Sequence, residues 1–206
     1  MNMFDASTHQ PVSFGIRKEP KRTYSLEEYL RKEAKSKYKH EFINGQIVRM
    51  PYAKGPHNII AANFTIGLGI ATEAIEKKFI IFGSDQKVYF PSLNEGVYAD
   101  SLAVCEQPLY WDDEELLLIN PIIVVEVLSK STSRYDRTGK FEKYKTLESF
   151  KEYVLVRQDQ HYVETWHQLE KGLWKETIVT DLAASVSLAS VGIEIAMERI
   201  YRNVEL

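Results

Sequence analysis

A seven-residue run, Ile122-Ile123-Val124-Val125-Glu126-Val127-Leu128, constrains this chain more than any other feature. It is apolar, and mostly β-branched, at odd and even positions alike, so it has no face to give to water. Such a run belongs in a strand covered on both sides, near the middle of a sheet. It is far too short to cross a bilayer. One carboxylate, Glu126, stands inside it. An ionised side chain among apolar neighbours is costly unless it is paired with a cation or bound to a metal. Glu126 is therefore either half of a structural ion pair or part of a functional site.

The flanking segments predict an α/β chain around that strand. Ser25-Leu26-Glu27-Glu28 has the form of a capping box and opens a short helix ending near Lys37. Asn44-Gly45, between two apolar-alternating segments, predicts a hairpin with a type I′ turn. Pro56 can occupy the first turn of a helix whose wide apolar face runs toward Lys77, although Gly67 and Gly69 weaken it. Strands are expected over 79–82, 86–90 and 97–105, with an acidic surface loop over 111–115. A helix follows the central run through Leu147. Further strands are expected over 152–157, 162–169 and 173–180, and in the last 25 residues a short strand followed by a helix over 194–201. Residues 1–22 mix Pro, Ser, Lys and Arg without periodicity and predict a loosely held arm, leaving 23–206 as one domain with a mixed sheet.

Composition excludes several classes. With 44% hydrophobic residues and a net charge of −3, disorder is not the dominant state. The lone Cys105 excludes an intramolecular disulfide framework and any zinc site built from several cysteines. The opening MNMFDASTHQ lacks the basic-then-apolar order of a secretory signal, so a cytoplasmic, non-membrane protein is expected.

Two further features add chemistry to Glu126. Asp100 also sits among mostly apolar neighbours, in Val97-Tyr98-Ala99-Asp100-Ser101-Leu102. Asp and Glu on neighbouring strands would form a site of hard oxygen ligands suited to Mg²⁺ or Mn²⁺; alternatively, Asp100 only caps a strand end. Asp136, Lys140 and Tyr144 are four apart, so on a helix they share one face. That helix follows directly on the Glu126 strand, and Lys140 could orient a nucleophilic water and stabilise charge at phosphorus. The plain alternative is an Asp136–Lys140 surface pair. Asp85-Gln86-Lys87 has no carboxylate partner with apolar surroundings and is set aside. His161 and His167 lack metal-ligand spacing.

Taken together, these segments resemble the Uma-type restriction-endonuclease family, a branch of the PD-(D/E)XK nuclease superfamily. The resemblance spans roughly residues 24–181. It is carried by Glu41-Phe42-Ile43-Asn44-Gly45-Gln46-Ile47-Val48, the helix with His57, Tyr98-Ala99-Asp100, Asn120-Pro121 and Val125-Glu126-Val127-Leu128-Ser129. Ser131-Thr132, Tyr135-Asp136, Lys140 to Tyr144 and Glu152-Tyr153-Val154-Leu155-Val156 continue it. The resemblance implies a restriction-endonuclease-like core, a mixed central sheet flanked by helices. It implies Asp100 and Glu126 as ligands of Mg²⁺, or Mn²⁺ in its place, with the Val127 carbonyl as a further ligand and Glu41 as a ligand or supporting group. Two positions depart from the superfamily pattern. Ala99 stands where a proline is usual, and Leu128 stands where a lysine is expected, which makes Lys140 the substitute. His57 matches the family but reads as structural.

The implied activity is metal-dependent hydrolysis of phosphodiester bonds in DNA, with Asp100, Glu126, Lys140 and Glu41 as catalytic candidates. The alternatives are a degenerate nucleic-acid- or protein-binding module with the same fold, and a hydrolase of another phosphoester. Residues 129–145 carry six basic and two acidic residues, and residues 17–39 nine and four. These segments are expected to hold phosphates, with Lys130, Arg134 and Arg137 foremost, while the acidic loop within 94–119 faces away. Two-fold symmetric DNA would suit a homodimer.

Overall fold

A computed structural model describes residues 22–129 and 133–206. The expected arm up to Lys21, and Lys130, Ser131 and Thr132, lie outside the described residues. Helix α1 (Leu26–Glu33) opens with the expected capping box, Ser25 Oγ accepting from the Glu28 amide and the Glu28 carboxylate accepting from the Ser25 amide. Strands β1 (His40–Ile43) and β2 (Gln46–Arg49) form the hairpin. Asn44 and Gly45 take φ of 50° and 68°, the left-handed values a type I′ turn needs. Helix α2 (Gly55–Thr72) follows, then β3 (Phe79–Gly83), β4 (Lys87–Phe90), β5 (Glu95–Tyr98), β6 (Ser101–Cys105), β7 (Leu117–Leu118) and β8 (Ile123–Leu128). A π-helical turn (Tyr135–Lys140) runs into the four-residue α3 (Phe141–Tyr144). The chain ends with β9 (Glu152–Arg157), β10 (Val163–Glu170), β11 (Leu173–Val179), the hairpin β12 (Ser185–Leu188) and β13 (Ile193–Ala196), and α4 (Met197–Ile200).

The strands make two larger sheets. One has the order β2-β1-β5-β4-β7; the other is the mixed central sheet, β11-β10-β9-β8-β6-β3, in which β8 pairs β9 in parallel and β6 antiparallel. All six residues of β8 are buried, as its composition predicts. Ile123, Val125 and Val127 pack with Ile60, Phe64 and Leu68 of α2 and with β13 and α4. Val124 and Leu128 face the other way, into a cluster with Phe90, Val97, Phe141, Tyr144 and Tyr153. Glu126 shares that second face by strand alternation. A four-residue helix has no stability of its own. The stacked Phe141–Tyr153 rings, 5.0 Å apart, and Trp166 and Trp174 against Phe141 hold α3 in place.

Several boundaries differ from expectation. Helix α1 stops at Glu33, not near Lys37, and α2 at Thr72, not Lys77. Residues 193–196 are strand, so the last helix is confined to Met197–Ile200. The 97–105 run is not one strand. It breaks at Ala99-Asp100, where the chain passes from one sheet to the other. The segment after Ser133 is π-helical before it becomes α-helical, and α3 ends at Tyr144 rather than Leu147. Among the described residues no helix is long and apolar enough to cross a membrane.

The two weak points of α2 have opposite surroundings. A Cβ at Gly67 would lie 2.9 Å from Ile195 Cγ2, whereas one at Gly69 would meet nothing within 4 Å. Gly69→Ala should stabilise the fold by roughly 0.5–1 kcal/mol through helix propensity. Gly67→Ala should instead destabilise it by about 1–3 kcal/mol through overpacking. Urea denaturation of the two variants checks both signs.

Candidate active site

Asp100 owes its place to the sheet crossover. Because the chain leaves β6 for the other sheet at Ser101, the edge of β8 beyond Val125 loses its ladder partner. Asp100 replaces it: its amide donates to the Val125 carbonyl (3.1 Å), and its Oδ2 accepts from the Val127 amide (2.7 Å). The other oxygen, Oδ1, lies 2.9 Å from His57 Nε2 on the first turn of α2. Asp100 thus caps the edge of β8 and also contacts His57.

Glu126 is 3% exposed and meets the π-helical turn. Lys140 Nζ donates to both of its oxygens at 3.0 Å and to the Tyr98 carbonyl at 2.8 Å. Tyr144 OH donates to Glu126 Oε1 at 3.2 Å. Glu41 Oε1 and Asp136 Oδ1 each stand 3.6 Å from the same ammonium. The Asp136–Lys140 pair is thus buried, not the surface pair that spacing alone allows. The expected shared face of Asp136, Lys140 and Tyr144 does look back at the carboxylate. Leu128, two residues after Glu126, sits in the second core cluster, and the ammonium arrives from the turn above it.

Burial pushes the pKa of Glu126 well up, against the pull of Lys140, with Asp136 and Asp100 adding repulsion. Glu41 is raised by the same cause, again opposed by Lys140. On Lys140, burial works against the charge, but Glu126 and Glu41 outweigh it and hold the pKa well above the usual lysine range. Among the described residues Glu41 Oε1 and Tyr135 OH are buried without a hydrogen-bond partner.

Asp100, Glu126, Val127, Lys140 and Glu41 all line one open cleft of about 1760 Å³. Lys37, Arg49, Lys54 and Arg157 stand on its walls, and residues 111–115 are not among its lining. Among the described residues no three His, Cys, Asp or Glu side chains are disposed to hold a metal ion by themselves. The basic segment 129–145 is less available than its sequence charge implies. Arg137 pairs with Glu164, Lys143 with Glu95 and Lys145 with Glu142, while Lys140 is buried. Arg134 remains exposed. Lys130 lies outside the described residues.

His57, read from sequence as structural, proves to be the partner of Asp100. A lone histidine at a helix start carries no signal of that. The Tyr98 carbonyl, which fixes Lys140, could not be found from residue types at all. Asp85 and Lys87 lie outside the cleft lining, and Lys87 is instead buried beneath the Tyr29 and Tyr98 rings, 4.4 and 5.1 Å from their centroids.

The chain is similar to known proteins. A family described as "Uma2: Putative restriction endonuclease" matches residues 26–198. Two Synechocystis proteins, the uncharacterized proteins sll1609 and slr1290, are each 30% identical to this chain. The first aligns over 71% of this chain and 82% of its own length, the second over 87% and 92%. A crystal structure of a "putative nuclease belonging to DUF820" from Anabaena variabilis superposes with a TM-score of 0.68 at 16% identity, covering 86% of this chain and 97% of that one. That likeness shows the fold.

Removing the ammonium should expose the cost of the carboxylates. Lys140→Ala should destabilise the fold by about 3–5 kcal/mol, the usual cost of orphaning a buried charge. The double variant Lys140→Ala/Glu126→Gln should recover part of that loss, as read by urea denaturation at neutral pH. Lys87 gives a separate, pH-dependent outcome. Burial lowers its pKa from 10.5 to about 8, so folding releases its proton between those values and wild-type stability rises with pH across that window. Lys87→Met should be more stable than wild type near neutrality, and the difference should shrink between pH 8 and 10.5.

Proposed function

The chain belongs to the Uma2 family, and from that membership we propose that it is a metal-dependent endonuclease hydrolysing phosphodiester bonds in DNA. The observation that carries the proposal is the contact of Lys140 with both oxygens of Glu126, beside Asp100 in an open cleft. It supplies from a following helix the ammonium missing at Leu128.

The donor set fits a Mg²⁺-type ion. Magnesium uses one or two carboxylates and completes its shell with water and substrate phosphate oxygens, so it needs no three-residue protein cage. Asp100 and Glu126 are two such carboxylates. Glu41, Glu126 and Asp136 crowd a single ammonium, and one oxygen of Glu41 lacks a hydrogen-bond partner, which leaves this corner of the cleft rich in negative charge. Asp100 and Glu126, with the Val127 carbonyl, would hold the ion. When bound, it would lower the pKa of an attacking water and polarise the phosphoryl oxygen.

The chain's own residues do the rest. The Val127 amide and His57 fix both oxygens of Asp100, so its carboxylate enters the reaction already oriented. Lys140 opposes the effect of burial on Glu126 and so favours its ionised form. The ammonium also faces the negative charge that builds on phosphorus as water adds and one P–O ester bond breaks. Lys37, Arg49 and Lys54 on the cleft wall hold flanking phosphates.

Incubation with supercoiled plasmid and with short labelled DNA strands tests this. Cleavage should require Mg²⁺ or Mn²⁺, stop with chelator and return on metal addition. Asp100→Asn, Glu126→Gln and Lys140→Met should each lose roughly 100-fold or more in rate, with circular dichroism confirming that each variant is folded. Wild-type rates in folded Asp100→Asn and Glu126→Gln would overturn the assignment. Metal-independent binding of DNA without cleavage would instead identify a non-catalytic module.

A further inference from the structure

The open end of the β1–β2 hairpin carries a group that neither the fold nor the carboxylate site uses. Tyr38 precedes β1 and Tyr52 follows β2, so both flank Arg49, the last residue of β2. The Arg49 guanidinium lies 3.7 Å from the centroid of the Tyr38 ring and 5.9 Å from that of Tyr52. The two rings meet edge to face at 6.0 Å. All three residues line the cleft that holds Asp100 and Glu126.

This cluster is not spent on folding. Tyr52 is 80% exposed and Tyr38 42%, so Tyr52 in particular buries too little surface to stabilise much. Among the described residues no carboxylate pairs with Lys37, Arg49 or Lys54 on the same rim. The rim therefore offers an open aromatic ring, an arginine seated on a second ring, and unpaired positive charge.

We propose that Tyr38, Arg49 and Tyr52 form a stacking platform for an unpaired nucleotide, with its base on Tyr52 and its phosphate on Arg49. The preferred substrate of the cleft is accordingly DNA with unpaired bases beside the scissile phosphate. In a duplex both faces of a base are covered by its neighbours, so the exposed tyrosine has nothing to stack on. An unpaired base presents a free face, whatever its identity. Arg49, held over Tyr38, keeps N–H groups for a phosphate, which either form of DNA supplies. The phosphate contact adds affinity, and the ring selects the strand state.

This rests on the nuclease reading, and the test separates the two. Binding is measured by fluorescence anisotropy, in chelator so that nothing is cut. The probes are a labelled oligothymidine of about fifteen nucleotides and a blunt duplex of equal length. Wild type should bind the single strand more tightly. Tyr52→Ala should weaken single-strand binding about tenfold and leave duplex binding within about twofold, while Tyr52→Phe should match wild type. Unchanged single-strand binding in Tyr52→Ala, or equal loss on both probes, overturns the platform. If wild type still cleaves DNA with metal present, that result leaves the nuclease reading standing. A wild type that binds neither probe and cuts no DNA overturns both.

Discussion

Three carboxylates share one buried ammonium, and the centre of this molecule is arranged around that imbalance. Lys140 comes from the π-helical turn, Glu126 from the central strand, Glu41 from the other sheet, and the Tyr98 carbonyl from the strand beside it. One side chain thereby ties both larger sheets to the helix after β8. Each group alone would be expelled by the cost of desolvation. Together they persist because every charge that is withdrawn from water meets an opposite one at hydrogen-bond range or close to it.

The second dependency is topological. A strand as apolar as β8 needs partners on both edges, and on one edge β6 ends early because its chain must reach the other sheet. The amide of Val127 would be left without an acceptor there. A carboxylate at the crossover solves the backbone problem and, by doing so, stands beside Glu126. The pairing of the two acids is thus a product of how the sheets are joined, before any chemistry is asked of them.

Much of this is legible in the sequence, for identifiable reasons. The central strand announces itself because apolar residues occupy both of its faces, and Asn44-Gly45 because few other pairs tolerate two left-handed residues in succession. Asp136, Lys140 and Tyr144 declare a common face by spacing alone. What sequence conceals is set by partners remote in the chain. The break at Ala99-Asp100 is invisible because both halves read as strand. Helix α2 ends at Thr72, and no proline or cap marks that point. His57 and the Tyr98 carbonyl join the site only through tertiary geometry. The charge of residues 129–145 misleads because Arg137 and Lys143 are neutralised by Glu164 and Glu95, from strands that no local pattern connects to them.

The π-helical turn also sets how Lys140 is aimed. A π-turn, closed by i→i+5 bonds, accommodates one residue more than an α-turn of the same extent. Excising one residue between Tyr135 and Gly139 would let regular α-geometry return. It would also swing the residues before the excision by about 100° around the axis relative to those after it. Either the lysine or its approach from β8 would then lose its aim. The position of the ammonium is thus a matter of reading frame within the helix. One residue more or fewer here would separate a chain that presents a lysine to Glu126 from one that does not, with no change in the residues of the site themselves.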